Sequence, residues 1–273
     1  MKNFGQGLIS RRMTTAKVSP IICSLAAAAL VLGGALTVFD RSVYAQPTQP
    51  IFLQYDGWVH NADGSYTLAF GYFNMNNVDV RVPPGEANGF APGPADRNQP
   101  VTFVKGRRRF ACSMVVDKAF DGRLQWTVKF AGKTSTTTAK VLDPLYELEH
   151  SSREHATSGL DVATAPKNVC VNRPPGVHVG NPFAPPPGPD GAVTGKANQD
   201  VTLTSQIEDD GLPRNGALTI AWKKISGPGE VTFTAPASAT TRARFSAAGR
   251  YELELSAADG ERTTSVKVLA QIT

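Results

Sequence analysis

The 273-residue chain has few of the residues that reactive sites are built from: four His, three Cys and 19% charged residues in all. No His-Glu-x-x-His run is present, so the zincin arrangement of two imidazoles and a carboxylate on one helix face is excluded. The Gly-x-Ser-x-Gly turn of hydrolase nucleophiles and the Gly-rich loop that cradles phosphates are also missing. The serines have no evident His and acid partners. Calcium loops of EF-hand spacing are absent as well. No stretch sustains helical spacing over ten or more residues, and the 25 Gly and 20 Pro lack the three-residue period of collagen. What remains is 41% hydrophobic, enough for globular cores and too much for a wholly disordered chain.

The net charge of +5 is concentrated at the beginning of the chain. Lys2, Arg11, Arg12, Lys17 and Arg41 stand there against Asp40 alone, so residues 1–45 carry +4 of it. The rest is nearly balanced, which removes the electrostatic case for nucleic acid as a partner. Residues 21–39 hold no charge, and Ser42-Val43-Tyr44-Ala45 offers small residues where a signal peptidase requires them. This pattern predicts export with cleavage after Ala45. The alternative is a retained anchor, since 19 apolar residues just suffice to cross a bilayer. Ser10-Arg11-Arg12 only partly matches a twin-arginine signal, and Cys23 lacks the residues of a lipoprotein site.

Removal of that segment leaves Cys112 and Cys170, which in an oxidising compartment are expected to form a disulfide or else stand as two separate thiols. Cys112 alternates with Phe110, Met114 and Val116, an inward strand face that argues against a catalytic thiol.

From Ile51 to Tyr146 the apolar period is two. Tyr66, Leu68, Phe70 and Tyr72 share one face after an Asn61–Gly64 turn, and Leu124, Trp126, Val128 and Phe130 share another before a turn at Gly132-Lys133. Residues 83–100 read as a Pro/Gly/Asn-rich loop. Residues 147–192 lose the alternation and end in the Pro-rich NPFAPPPGPDG, the composition of a semi-rigid linker. Alternation returns over 193–273, with Val201, Leu203 and Ile207, then Leu218, Ile220 and Trp222, Val231 and Phe233, Ala243 and Phe245. A final hairpin turns at Asp259-Gly260 between Tyr251–Ala257 and Val266–Ile272. The fold class is therefore all-β: two immunoglobulin-like antiparallel β-sandwich domains, 46–146 and 193–273, joined by the linker 147–192. Trp126, Trp222 and Tyr251 are expected in the cores, with the Tyr251 hydroxyl on a backbone partner.

The run Trp222-Lys-Lys-Ile-Ser-Gly-Pro-Gly-Glu-Val-Thr-Phe233, followed by Thr241–Phe245 and Gly249-Arg-Tyr251 through Asp259-Gly260, resembles PKD-like immunoglobulin-fold domains of exported bacterial proteins over about 80 residues. The Gly-Asp-Gly that follows the Trp in the shorter form of that signature is missing. The resemblance implies an exterior spacer or a protein- or carbohydrate-interaction module, without a ligand. The first domain, with PGPADRNQP, KGRRRF and LQWTVKFAGKT, is similar to an exported bacterial region that carries no known chemistry.

Four places could carry chemistry. His150 and His155, with Glu147, Glu149 and Glu154, lie five apart, which fits no zinc signature, so a solvated segment is expected. Asp209-Asp210-Gly211, joined by Glu208 or Asp259, is expected to be an ordinary acidic turn and no cofactor is expected, with a structural calcium site as the alternative. Lys105, Arg107, Arg108 and Arg109 form either a charged strand edge that deters pairing or a contact for an acidic glycan, lipid headgroup or protein. Trp58 and Phe90 are expected to pack in the core and against a loop, with stacking on sugars as the alternative if they are exposed. The expectation is a periplasmic or extracellular, non-enzymatic adhesion, scaffold or binding module whose partner is a protein or glycan. The alternatives are a carbohydrate-binding accessory protein and a hydrolase with dispersed carboxylates.

Overall fold

The computed structural model describes residues 47–140, 143–148, 156–157, 159–180 and 193–273. Residues 1–46, expected as an export signal and containing Cys23, the residues His150, His155, Glu149 and Glu154, and the Pro-rich run 181–191 lie outside the described residues. Ala45–Thr273 is one compact unit. It contains two β-sandwiches, and among the described residues the sole helical element is a 3-10 turn, Pro144–Tyr146. No described helix is long and apolar enough to cross a membrane.

The first sandwich contains β1 (Ile51–His60), β2 (Tyr66–Asn74), β3 (Val80–Arg81), β4 (Asn88–Ala91), β5 (Thr102–Phe103), β6 (Gly106–Val116), β7 (Gln125–Phe130), β8 (Lys133–Thr138) and β9 (Cys170–Val171). One sheet runs β1-β2-β6-β9 and faces a second, β4-β7-β8, with β3-β5 as a short ribbon. The turns read from sequence form the β1-β2 and β7-β8 hairpins. Phe70 of the first sheet meets Phe90 and Trp126 of the second at ring separations of 5.5 and 6.3 Å, and this cross-sheet contact is the centre of the core. Burying Trp126 requires a partner for its indole N–H, which donates to Asn88 Oδ1 at 2.8 Å.

The second sandwich contains β10 (Gly176–Val179), β11 (Val193–Gly195), β12 (Asp200–Glu208), β13 (Thr219–Ser226), β14 (Val231–Phe233), β15 (Thr240–Phe245), β16 (Gly249–Ala258) and β17 (Thr263–Ile272). Its sheets are β10-β12-β15-β14 and β11-β17-β16-β13, with β11 parallel to β17 and the other pairs antiparallel. The first sheet has the immunoglobulin order A-B-E-D and the second places C, F and G side by side, with the leading strand split between the two. Trp222 sits on the C strand, its indole N–H donating to Ser238 O at 3.0 Å. Tyr251 opens the F strand, and its hydroxyl donates to Ala247 O at 2.7 Å, the tyrosine corner of such sandwiches.

Four expectations differ from what is found. The Pro/Gly loop 83–100 contains a strand, β4, because Asn88 holds Val82 O and Pro100 O through its amide and so closes the loop around it. Phe110 leaves the face of Cys112, Met114 and Val116: a bulge opposite Gly71 and a φ of +54° at Phe110 turn its ring outward onto Val59, Ala69 and Ala156. The segment expected as linker holds two strands, β9 on the first sandwich and β10 on the second. Both are too short for alternation to reveal. Leu218 lies just before β13 and is exposed, so that face begins at Ile220. Trp58 and Phe90 are buried, at 6% and 3% exposure, in agreement with the core packing expected for them, and cannot meet a sugar.

Cys112 and Cys170 are bonded, with Cα atoms 4.9 Å apart. The bond ties β9 to β6, next to the pair Met114–Cys170, and returns the chain from β8 to the free edge of the first sheet.

Candidate functional site

The outward face of sheet β1-β2-β6 divides in two. At one end Val59, Ala69 and Phe110 are covered by Ala156 and Leu148. At the other end the face is open. Period-two geometry places Phe52, Gln54 and Asp56 of β1 there, with Gly71 and Phe73 of β2 and Arg107 and Arg109 of β6. Phe52 pairs across the strands with Phe73, and Phe73 with Arg107. The two rings are 48% and 38% exposed, an aromatic pair in water with a guanidinium beside it.

The next row is Gln54 opposite Gly71. A Cβ on Gly71 would collide with Asp56 Oδ2 and Arg108 O, so glycine here makes room for a buried carboxylate. Asp56 accepts from Phe110 N–H at 2.8 Å and lies 3.9 Å from Arg109 Nε. Burial pushes its carboxyl above the usual range, opposed by the Phe110 N–H and the charges of Arg109, Arg107 and Arg173. Over this floor lies a groove of about 430 Å³, walled by Leu145 and Tyr146 of the 3-10 turn and by Arg107 and Arg109. Gln54 Oε1 is buried there with no hydrogen-bond partner among the described residues. Lys140 Nζ sits 4.9 Å over the Tyr146 ring, which adds positive charge close by.

The basic cluster of the sequence is thus split. Lys105, Arg107 and Arg109 are exposed, Lys105 with its backbone N–H on Asp79. Arg108 lies on the opposite parity and lines two clefts toward the second sandwich, of about 240 and 220 Å³, each of which also contains Asp209. At this junction Arg173 is nearly buried. Its backbone N–H donates to Asp210 Oδ2 at 2.8 Å and its Nη2 to Phe110 O at 3.0 Å.

The carboxylates suggested for calcium hold backbone groups: Asp209 takes Gly211 N–H, Asp210 takes Leu212 N–H, and Asp259 takes those of Glu261 and Arg262. Among the described residues no group of three or more His, Cys, Asp or Glu is arranged to hold a metal. Burial raises Asp210 to about 7 against the N–H groups and charge of Arg173, and raises Asp209 too. Glu147 of the histidine-flanking set bridges to Trp58 along the β1 edge.

Sequence reasoning did not find Phe52, Gln54, Asp56, Phe73 or Tyr146. The signals were present: a bare Gly71 in mid-strand and an apolar Phe73 on the parity opposite Tyr66–Tyr72.

No family model matches the chain. Among solved structures it is similar to a titin A168–A169 fragment at 12% identity and TM-score 0.25, over 81% of this chain and 98% of that one. Drosophila N-cadherin EC1-3 gives 10% identity and TM-score 0.29 over 81% and 80%. Fibronectin(III)-like modules of Clostridium thermocellum CbhA give 12% and 0.22 over 82% and 95%. Such scores carry no structural or functional argument, and the immunoglobulin assignment rests on strand order and the tyrosine corner.

Proposed function

We propose that this protein is an exported, non-enzymatic binding or scaffold module of the cell exterior whose C-terminal sandwich is PKD-like. The observation that carries the reading is the open strand face of Phe52 and Phe73 beside Arg107 and Arg109. Exposed aromatics with arginine are the residues that interfaces concentrate, and here they sit on strands rather than on a loop, so their geometry is preset. The Cys112–Cys170 bond supports an oxidising compartment, which the amino-terminal segment also favours. The role calls for no cofactor, and a structural calcium ion at the Asp209–Asp210 turn is a separate proposal that calorimetric titration tests.

Cell fractionation with amino-terminal sequencing, followed by sedimentation of the purified mature protein with isolated cell envelopes, tests the reading. The expected result is extracytoplasmic protein starting after Ala45 that saturably binds envelopes. Cytosolic protein with its leader intact, or a mature protein that binds nothing and turns over a substrate, would defeat it.

A further inference from the structure

We propose that the groove between Gln54, Arg107, Arg109 and Tyr146 binds a carboxylated carbohydrate, a chain segment of the uronic-acid type. The inference rests on the binding-module reading and names the ligand class of that face. The groove combines two kinds of demand. Arg107 supplies a forked cationic donor that matches a carboxylate, and Arg109 adds positive charge to the same wall. Gln54 Oε1 is an acceptor with no partner among the described residues, and leaving it so is costly, so the ligand has to bring hydroxyl donors as well as negative charge. An ionised phosphodiester or an acyl chain by itself brings no such donors.

A sugar acid supplies both groups, and its apolar ring face matches Phe52, one strand repeat from Gln54, and Phe73, which pairs with Arg107. The size agrees. A groove of about 430 Å³ falls within the range of small-ligand sites, and it is concave where a protein interface of standard area is broad. Asp56 underneath accepts from Phe110 N–H and faces Arg109, so it fixes the groove's floor, while Arg107 sits one row away, opposite Phe73.

The test uses the full-length protein processed by export, with isothermal titration against oligogalacturonate, oligoalginate and hyaluronate fragments and against their methyl esters, which keep the hydroxyls and lose the charge. At least one acid should bind, its ester at least tenfold more weakly, and the affinity should fall with salt. Arg107→Gln should lower the affinity at least tenfold and Phe52→Ala severalfold. Both side chains are exposed, so neither change should shift the melting temperature. Equal binding of acid and ester, unchanged affinity in Arg107→Gln, or binding only to phosphatidylglycerol vesicles or to an acidic protein overturns the proposal. The envelope assay separates the two levels. Envelope binding that persists in Arg107→Gln, with no uronate bound, removes this site and leaves the module, whereas no envelope binding removes the module.

Discussion

Arg214, from the loop after β12 of the second sandwich, forks onto Asp96 in the Pro/Gly loop of the first, and its Nε also donates to Gln99 O at 2.9 Å. The ion pair marks the junction, but a second contact two residues earlier is of another kind. Leu212 is buried among the core residues of the first sandwich, so one core contains a side chain supplied by the other domain. Asp96 is half in solvent, and such pairs contribute about 1 kcal/mol or less. Truncating a buried leucine costs ~2–5 kcal/mol. Leu212→Ala should therefore lower the melting temperature of the first sandwich in calorimetry and lengthen the particle in small-angle scattering, while Arg214→Ala does little. The reverse ranking would mean that charge, and not burial, joins the sandwiches.

The disulfide is the other staple. Strand β9 has only two residue pairs on β6, too few to hold the returning chain by backbone bonds alone. Closing a loop of 58-residue separation removes chain entropy worth on the order of 4 kcal/mol. A Cys112→Ala/Cys170→Ala variant, or the reduced protein, should lose about that much stability in urea, with the first sandwich unfolding earlier. Two free thiols in protein purified under oxidising conditions, seen by non-reducing mass spectrometry, would contradict the bond.

How much of this was legible in sequence depends on which physical question is asked. Alternation reports parity, so the faces of Leu68 and Phe70, of Trp126 and Val128, and of Leu253 and Leu255 could be read directly. It does not report what a later segment will cover. Val59 and Phe52 both lie on the outward side of β1, yet Leu148 and Ala156 bury the first and leave the second bare. Nor does it survive a bulge, which is why Phe110 was assigned to the face of Cys112. Strands of two to four residues, such as β4, β9 and β10, contain at most two periods of signal and are fixed by partners distant in sequence. The groove inherits both difficulties, since it depends on a bulge for Arg109 and on the 3-10 turn at Tyr146 for its wall.

Asp210 gives the junction a pH dependence of determinate sign. Its folded value of about 7 exceeds the model-compound 3.8, so the native state holds the proton more tightly than the unfolded chain does. This group's stabilisation is complete below about pH 3.8 and is lost as pH rises through about 7. Asp56 and Asp209, raised by burial, act in the same direction. Urea midpoints should be higher at pH 5 than at pH 8, and Asp210→Asn should flatten the difference. A midpoint that rises between those values would show that Arg173 holds Asp210 charged.

The tyrosine corner can be examined at two depths. Tyr251→Phe removes the bond to Ala247 O and leaves the ring, at a cost of about 1 kcal/mol. Gly227 meets the same ring from the other side: its φ is +132°, and a Cβ there would fall on Tyr251 Cδ1. Gly227→Ala adds backbone strain to overpacking and should cost roughly 2 kcal/mol or more, exceeding the loss of the hydroxyl. Tyr251 belongs to the second core, so calorimetry should show the second transition shifted more than the first. If Gly227→Ala were the milder change, the Tyr251 ring would have room to retreat, and the corner would be held by its hydrogen bond rather than by its packing.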